Sequence, residues 1–326
     1  MERNHQIKGI ILGFAIADAM GVPVEFENRK TLAKNPVTGY RGYGSQPVPA
    51  GTWSDDTSMT LAALDSLSYG LDYQDMMECF CRWEDSAAYT ATGVCFDIGI
   101  TTHRALKSYR QGHDLWDCGL KGEYDNGNGS LMRIIPAVLY GKYKMKDATL
   151  EEKLDVIYEV SALTHGHPRS KLACGIYAFI LTALMDTQNK EGIQAGLAAA
   201  KAHYEIQFEY QKELAHYDRI FQPDFADTPE EEIKSSGYVV DTLEAALWCL
   251  LNTESYPDCV LKAVNLGDDT DTVAAVAGGL AAAIYGMEGI PEAWIDGLLK
   301  KEGLLAVCEQ FSKLINATEL FIQKRE

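Results

Sequence analysis

The sequence predicts an all-α fold, and three observations support this prediction. Apolar side chains recur at helical spacing in residues 59–67 and again in residues 172–184. Two more segments, Val239–Leu251 and residues 272–285, are apolar almost throughout, as buried helices are. Strict alternation of apolar and polar residues, which would predict strands, is almost absent. We therefore expect one all-α domain that spans residues 1–326.

In chain order, the first apolar run covers residues 9–16. Glu2 lies in its flank and Asp18 follows it directly, which argues against a secretory signal. The last apolar run, residues 272–285, is shorter than the ~20 residues that a membrane span requires. We predict neither a targeting segment nor a membrane-spanning segment.

Loops and irregular elements separate these helices. Gly, Pro and Asn clusters predict loops, while a polar and aromatic stretch at residues 204–219 predicts a surface helix. The last helix, at 272–285, is rich in Ala and Gly, which favours close packing at the centre of a helical domain. The predicted loops are residues 35–51, 122–129, 166–169 and 222–237.

Charge and cysteine content exclude several classes of protein. The 326 residues include 29 Lys and Arg against 47 Asp and Glu, a net charge of −18. A nucleic-acid-binding protein needs a basic face for the phosphates, and an anionic membrane also attracts basic segments. The eight cysteines form no C-x-x-C motif and lie mostly in apolar stretches, which is typical of reduced core residues. These features predict a cytoplasmic protein.

Two clusters of aspartates and hydroxyls each precede an apolar helix, at residues 51–57 and 267–272. Helix capping alone would explain one such residue at each helix start. Adjacent carboxylates near a packed interior repel one another and resist desolvation, and a bound divalent cation relieves both costs. Because the ligands are oxygens without His or Cys, we expect Mg²⁺, Mn²⁺ or Ca²⁺ and not zinc.

Other polar residues have both a functional and a structural interpretation. The Gly-rich and Asn-rich turn at residues 125–133 fits an anion site at a helix start, or a plain loop capped by Ser130. Glu25 and Asp97 each stand among apolar residues. Each can be interpreted as a catalytic residue or as a partly buried acid without a catalytic role. Residues 164–168 fit a ligand-contacting or a structural loop, and Tyr238 fits a stacking platform or a core side chain.

Together and in this order, seven segments resemble the ADP-ribosylglycohydrolase family. The resemblance spans about residues 8–290 and is weakest at about 195–235, which we treat as a possible variable insertion. The matching segments are Gly9 to Phe26, Trp53-Ser54-Asp55-Asp56-Thr57, Asp97 to Thr102, Gly127 to Arg133, Thr164 to Pro168, Ser236 to Thr242, and Gly267 to Thr272.

The resemblance implies a compact all-α domain with a dinuclear metal cleft that holds Mg²⁺ or Mn²⁺. Asp268 stands where the family often has Gly, so we do not count it among the ligands. The implied metal ligands are Ser54, Asp55, Asp56, Asp269, Asp271 and Thr272.

The resemblance also implies a reaction, hydrolysis of the glycosidic bond at C1″ of an ADP-ribosyl group. The implied catalytic residues are Asp97, which transfers a proton at the ribose, Glu25, which acts as a gate or second proton-transfer group, and Asp56, which lies at the metals. Two cations would orient ribose hydroxyls and activate water. The implied substrate-binding residues are Asn128, Gly129, Ser130 and Met132 along the diphosphate, with His165 and Tyr238 at the adenosine end.

The leading hypothesis is therefore a metal-dependent hydrolase of ADP-ribosyl-arginine on protein. Ser-linked ADP-ribose, O-acetyl-ADP-ribose and nucleobase conjugates stay open as substrates, and so does a small ADP-ribose conjugate as the partner. A non-catalytic ADP-ribose-binding relative and a Mg²⁺-dependent phosphohydrolase are the alternatives from other classes. The sequence leaves the oligomeric state open.

Overall fold

The computed structural model describes residues 3–317, so the expected domain range of 1–326 extends beyond the described part at both ends. The α helices are α1 (Arg3–Gly21), α2 (Arg29–Leu32), α3 (Asp55–Leu67), α4 (Tyr73–Ser86), α5 (Ile100–Arg110), α6 (Leu115–Cys118), α7 (Ile135–Tyr143), α8 (Leu150–Ala162), α9 (Pro168–Thr187), α10 (Glu191–Tyr204), α11 (Gln211–Leu214), α12 (Val239–Leu251), α13 (Tyr256–Asn265), α14 (Thr270–Tyr285), α15 (Glu292–Gly297) and α16 (Lys301–Asn316).

Short 3₁₀ helices complete the secondary structure. Within residues 3–317 there is no strand longer than an isolated bridge, which confirms the all-α prediction. The predicted helix Val239–Leu251 coincides with α12, and the one predicted at 272–285 begins two residues earlier, as α14. The 3₁₀ helices are Val22–Val24, Asn128–Arg133, Ala215–Phe221, Phe225–Asp227, Glu230–Glu232 and Met287–Gly289.

Helices α1 and α14 pack against each other at the centre of the fold through small residues. A Cβ atom added at Gly13 would lie 2.5 Å from the Cβ of Ala282, and one added at Gly278 would lie 2.4 Å from the Cβ of Ala17. Both distances are shorter than real Cβ contacts, so only glycine fits at these crossings. The close packing expected of the Ala-rich and Gly-rich helix is confirmed.

The prediction of a surface helix over residues 204–219 is wrong. Helix α10 ends at Tyr204, and the chain continues through the short α11 into a 3₁₀ helix. The reason is that Tyr204, Tyr210 and Tyr217 are buried. The Tyr204 hydroxyl lies 2.7 Å from that of Tyr158, and the Tyr217 hydroxyl donates to a backbone carbonyl at 2.8 Å. Aromatic burial in this segment overrides its polar composition.

Two helical stretches, Arg3–Val24 and Pro168–Thr187, are long and apolar enough to cross a membrane by length and composition alone. The first extends well beyond the apolar run seen in the sequence. In the fold, 94% and 67% of their apolar windows are buried inside the protein. Their side chains thus contribute to the core. All eight cysteines are free and seven of them are buried, as expected of reduced core residues.

Several chain ends meet at one face of this core. The end of α1 contacts the start of α14, since the Thr270 hydroxyl donates to the Gly21 carbonyl at 2.8 Å. A Cβ at Gly21 would lie 2.4 Å from the Cα of Asp271. The Asn128 amide donates to the Gly237 carbonyl at 3.0 Å, which joins the start of a 3₁₀ helix to the loop before α12. This convergence positions the site.

Candidate active site

A cleft of about 480 Å³ opens where these chain ends meet. Its wall is formed by the loop after α1, the starts of α3, α5 and α14, and the 3₁₀ helix Asn128–Arg133. Among residues 3–317, no Lys or Arg lines this cleft. The lining includes nine residues that the sequence singled out: Glu25, Asp55, Asp97, Asn128, Gly129, Met132, His165, Asp269 and Thr272.

The first acidic cluster sits on the N-terminal turn of α3, where Ser54 is the N-cap and its hydroxyl accepts from the amide of Asp56. Asp55 and Asp56 occupy the first turn, and both are buried. Asp18, in the last turn of α1, accepts hydrogen bonds from this turn and fixes its position. It accepts from the Ser54 amide at 3.0 Å, the Ser54 hydroxyl at 2.9 Å, the Thr57 amide at 3.0 Å and the Thr57 hydroxyl at 2.6 Å.

The second cluster sits on the first turn of α14. Asp269 is the N-cap residue, and its Oδ2 accepts from the Asn128 side-chain amide at 2.9 Å. The Thr272 hydroxyl donates to Asp56 Oδ2 at 3.2 Å and so links the two clusters. Asp268 lies on the exposed side with φ 61°, in the left-handed region that glycine favours. This conformation gives a physical reason for a Gly at the corresponding family position.

The arrangement fits divalent cations. Asp56 Oδ1 and both carboxylate oxygens of Asp271 are buried and have no hydrogen-bond partner among the described residues. In the part of the chain that the structure describes, no Lys, Arg or His forms an ion pair with these acids. Two groups of carboxylates can each surround one ion, and they share Asp271. One group is Asp55, Asp56 and Asp271, and the other is Glu25, Asp97 and Asp271.

The electrostatics of the cluster favour the binding of positive charge. Burial, followed by the neighbouring carboxylates, raises the pKa of Asp55, Asp56 and Asp271 well above the usual range. Burial also raises the pKa of Asp18 to about 6, although its hydrogen bonds to Ser54 and Thr57 oppose the rise. A group of buried carboxylates that cannot all ionise is unfavourable for a folded protein unless cations compensate it. The chemistry of the donor set, all oxygens, matches Mg²⁺, Mn²⁺ or Ca²⁺.

Glu25 and Asp97 form a carboxyl pair on one side of the cleft. Burial and the Asp97 charge raise the pKa of Glu25 to about 9, and a hydrogen bond joins the two side chains. The Gln46 amide donates to Glu25 Oε2 at 3.0 Å, and the Ser45 hydroxyl donates to the Glu25 carbonyl at 2.5 Å. The loop around Gln46 thus holds Glu25 in position beside Asp97.

The opposite wall brings backbone close to the cleft. A Cβ at Gly129 would lie 2.8 Å from His165 Cε1, so this position accepts only glycine. His165 is buried, and burial followed by the Arg133 charge lowers its pKa to about 3. Ser130, in contrast, turns away from the cleft: its hydroxyl accepts from Ser161 at 2.9 Å in the core. Only its backbone can face a ligand.

Tyr238 lies in an adjoining cleft of about 430 Å³, which shares lining residues with the main one. Arg169 donates to the Tyr238 hydroxyl at 3.2 Å, and its guanidinium lies 5.9 Å from the centre of the ring. Arg169 also pairs with Glu213 and Glu123, each at 2.8 Å. The Tyr238 ring is therefore held by a fixed cation.

Sequence reasoning did not assign roles to Asp18, Gln46 or Arg169. A signal existed for Asp18, because an aspartate inside an otherwise apolar helix needs a partner. Gln46 and Arg169 gave no such signal, since both lie in predicted loops. Their importance depends on contacts with residues far away in the chain.

Comparisons with known proteins agree with this geometry. The sequence model described as ADP-ribosylglycohydrolase matches residues 1–320. The chain is 34% identical over 311 residues to a Serratia proteamaculans protein named ADP-ribosylarginine hydrolase Tri1, which covers 95% of this chain and 79% of that protein. It is 31% identical over 297 residues to the ADP-ribosyl-(dinitrogen reductase) glycohydrolase of Rhodospirillum rubrum, with 89% of each chain covered. A solved structure described as an ADP-ribosylglycohydrolase-related protein complex matches with a TM-score of 0.79 at 30% identity, over 96% of this chain and 99% of that chain.

Proposed function

The chain belongs to the ADP-ribosylglycohydrolase family, and on this premise we propose that it hydrolyses the bond between ADP-ribose and an arginine side chain. The observation that carries the proposal is the floor of the cleft, where carboxylates from α3 and α14 meet with buried, unpartnered oxygens. Two relatives are named for arginine-linked ADP-ribose and for dinitrogen reductase, which favours the arginine linkage over the Ser-linked and acetyl-linked alternatives.

Two divalent cations, Mg²⁺ or Mn²⁺, would be held by the two acidic clusters. Their ligands would come from Ser54, Asp55, Asp56, Asp269, Asp271 and Thr272, and the geometry adds Glu25 and Asp97 as candidates on one side. Bound there, divalent cations supply positive charge that orients ribose hydroxyls and lowers the pKa of water. Asp56 is the most deeply buried of these carboxylates. It would contribute to catalysis by fixing the position of the bound cations.

The Glu25 and Asp97 pair supplies the proton transfers of the reaction. Hydrolysis adds the oxygen of water to C1″, breaks the bond from C1″ to the guanidine nitrogen, and moves one proton from water to that nitrogen. Two neighbouring carboxyls can divide these tasks, one donating a proton while the other accepts one. Asp97 would take the proton of the attacking water, and Glu25 would protonate the leaving nitrogen.

The remaining residues would bind the nucleotide. Gly129 packs closely on His165 and lines the cleft, so its backbone amide would contact the diphosphate, with Asn128 and Met132 beside it. His165 stays neutral, so it would bind through hydrogen bonds and not through charge. Tyr238, in the adjoining cleft, offers a face for the adenine. The assignment of Ser130 is restricted to its backbone amide.

The same proposal treats residues 1–326 as one domain with an insertion near 195–235. Glu213 of this region pairs with Arg169, so the insertion would support the nucleotide end of the cleft. A cytoplasmic site of action is consistent with eight unpaired cysteines.

The test is product analysis with a panel of defined substrates, Arg-linked, Ser-linked and O-acetyl ADP-ribose, each with Mg²⁺ or Mn²⁺ and with a chelator. We expect intact ADP-ribose from the Arg-linked substrate and none with the chelator. AMP or inorganic phosphate as product would indicate a phosphohydrolase. Binding of ADP-ribose without release from any substrate would indicate a non-catalytic relative and contradict the proposal.

A further inference from the structure

Three large apolar or aromatic side chains project into solvent around the mouth of the cleft. Phe26 is 70% exposed, Ile100 is 77% exposed and Tyr124 is 99% exposed, and all three border the same cavity as the acidic clusters. Scattered apolar side chains are common on protein surfaces, but a group beside a cleft is typical of an interaction site. We call Phe26, Ile100 and Tyr124 the apolar rim.

The backbone of Phe26 gives a second and independent observation. Its φ of 65° lies in the left-handed region, which a bulky aromatic residue rarely adopts. Hydrogen bonds hold this conformation. The Phe26 amide donates to the Asp268 carbonyl at 2.7 Å, and the Asp268 amide donates to the Glu27 backbone carbonyl at 2.8 Å. The fold thus keeps a strained residue whose side chain contributes little to the core. Such strain concentrates at functional sites.

The charge of the cleft identifies what the rim would contact. The cavity behind the rim is lined by Glu25, Asp55, Asp97 and Asp269, and no Lys or Arg within residues 3–317 lines it. An arginine side chain that leaves the reaction as a guanidinium is complementary to this lining. A free conjugate would leave the rim in water, whereas a polypeptide that carries the arginine can cover it with neighbouring apolar side chains.

We propose that the apolar rim is a docking surface for the polypeptide part of the substrate, namely a segment with apolar side chains beside the modified arginine. The inference rests on the proposed function and deepens it, since it identifies which surface distinguishes a protein substrate from a small conjugate. Binding there buries Phe26 and Ile100, so the rim acts on the affinity for the polypeptide and not on bond cleavage.

The test compares three defined substrates: a peptide with one ADP-ribosyl-arginine between Leu and Phe residues, the same peptide with Ser in place of Leu and Phe, and free ADP-ribosyl-arginine. The variants are Phe26→Asn, because Asn tolerates the left-handed backbone, and Ile100→Ser. Tyr124 is left intact because it also borders the adjoining cleft. Leu71→Ser and Leu150→Ser are controls, 37% and 45% exposed in the native protein and outside both the cleft lining and residues 195–235.

We expect wild-type kcat/KM to favour the apolar-flanked peptide about tenfold. Each rim variant should reduce this preference to less than about threefold, through KM, with release from free ADP-ribosyl-arginine within about twofold of wild type. The control variants should keep the full preference. A wild-type enzyme without preference, or rim variants that retain it, would overturn the docking surface while the hydrolase activity stands.

Other outcomes also decide the matter. If none of the three substrates releases ADP-ribose, the proposed function fails and the docking surface fails with it. Sedimentation analysis of wild type and Phe26→Asn tests whether a second copy of this chain, and not a substrate polypeptide, covers the apolar rim. A wild-type dimer that the substitution converts to monomer would assign the rim to self-association and overturn the proposal.

Discussion

The Thr57 hydroxyl donates to Asp18 Oδ2 at 2.6 Å, across 39 positions of sequence. The Thr57 and Ser54 amides and the Ser54 hydroxyl point at the same carboxylate. Asp18 therefore caps α3 from a different helix, and it fixes the turn that carries Asp55 and Asp56. The acidic centre depends on a residue that lines no part of the cleft.

Replacing Asp18 with Asn should weaken both the fold and the reaction. The amide group of Asn would face hydroxyl and amide donors, so at least one buried donor loses its acceptor, at a cost of about 1–3 kcal/mol. We expect a lower free energy of unfolding by that amount and at least a tenfold loss of kcat. Denaturant titration and ADP-ribose release measure the two effects.

Asp72→Asn is the control, because Asp72 caps α4 in the same chemical manner, with its side chain accepting from Gln74 and Asp75, but on the surface. This variant should keep its activity and lose less than about 1 kcal/mol of stability. Equal effects of the two substitutions would remove any special role of Asp18.

Replacing Asp271 with Asn should abolish the response to cations. The native side chain has two buried oxygens without a partner, so neutralising it costs the cation-free protein little stability. We expect a melting temperature in chelator equal to or above that of wild type, no increase with Mg²⁺ or Mn²⁺, and a loss of kcat of about a hundredfold or more. Thermal shift with and without chelator gives the stability readout.

Asp268→Asn provides the matched control three residues earlier. Asp268 is exposed with a left-handed backbone, which Asn also adopts. Cation stabilisation and activity should match those of wild type. If Asp268→Asn lost the cation response as well, the ligand set proposed above would be wrong.

Glu25→Gln separates proton transfer from structure. Gln can still donate to Asp97 but cannot release a proton, so the pair stays connected while general acid catalysis is lost. We expect kcat to fall about 10²-fold or more with a small change in KM and in melting temperature. Gln46→Ala, which removes only the 3.0 Å hydrogen bond to Glu25, should cost less activity. A larger loss for Gln46→Ala than for Glu25→Gln would contradict these roles.

His165 predicts a pH dependence of stability. Its pKa in the folded protein is about 3, below the ordinary 6.5, so the unfolded chain takes up a proton first as the pH falls. Its contribution is therefore present above pH 6.5 and is lost as the pH falls toward 3, by up to about 1.4 kcal/mol per pH unit. His165→Asn, which can keep the contact to the Thr164 hydroxyl, should flatten this slope between pH 7 and 4.

Denaturant titrations at several pH values measure the slope. His113→Asn, at an exposed position, is the control and should retain the wild-type slope. If the free energy of unfolding depended on pH equally in wild type and His165→Asn, the buried imidazole would not be the cause of the pH dependence.

Arg169→Lys should act on nucleotide binding. Lysine cannot pair with Glu213 and contact the Tyr238 hydroxyl in the fixed planar arrangement of a guanidinium, so the ring loses its support. We expect a KM increase of about 5–10-fold with kcat within twofold. Arg219→Lys, whose arginine pairs with Glu244 at 2.9 Å, serves as control and should leave both constants unchanged. A fall in kcat without a change in KM would contradict a role of Arg169 in nucleotide binding.

Periodicity predicted the long helices well because their apolar positions repeat. The boundaries of α12 follow directly from the apolar stretch before Asn252, and the close packing of α14 follows from its small residues. That α1 is its partner became visible only in the structure. The same reasoning failed for residues 204–219. A tyrosine can be buried only if its hydroxyl finds a hydrogen-bond partner, and the sequence does not reveal the partners that Tyr204 and Tyr217 have in the fold.

The site could be predicted in part. Motif residues such as Asp55 and Asp269 do meet in one cleft, since helix starts are recognisable from the sequence. The side chain of Ser130 does not reach that cleft, because the 3₁₀ helix turns it toward Ser161. The direction of a side chain in so short an element depends on tertiary packing, and sequence spacing does not encode it.

The packing of α1 on α14 has a consequence for the order of events during synthesis. Asp269 and Asp271 emerge from the ribosome some 250 residues after Asp18. The acidic centre therefore cannot assemble until most of the chain has been made. Until then, α1 lacks its main packing partner and exposes an apolar surface, so this first helix depends on chaperone protection or on late, cooperative folding. The proposed cation ligands would come together only after α14 has been made.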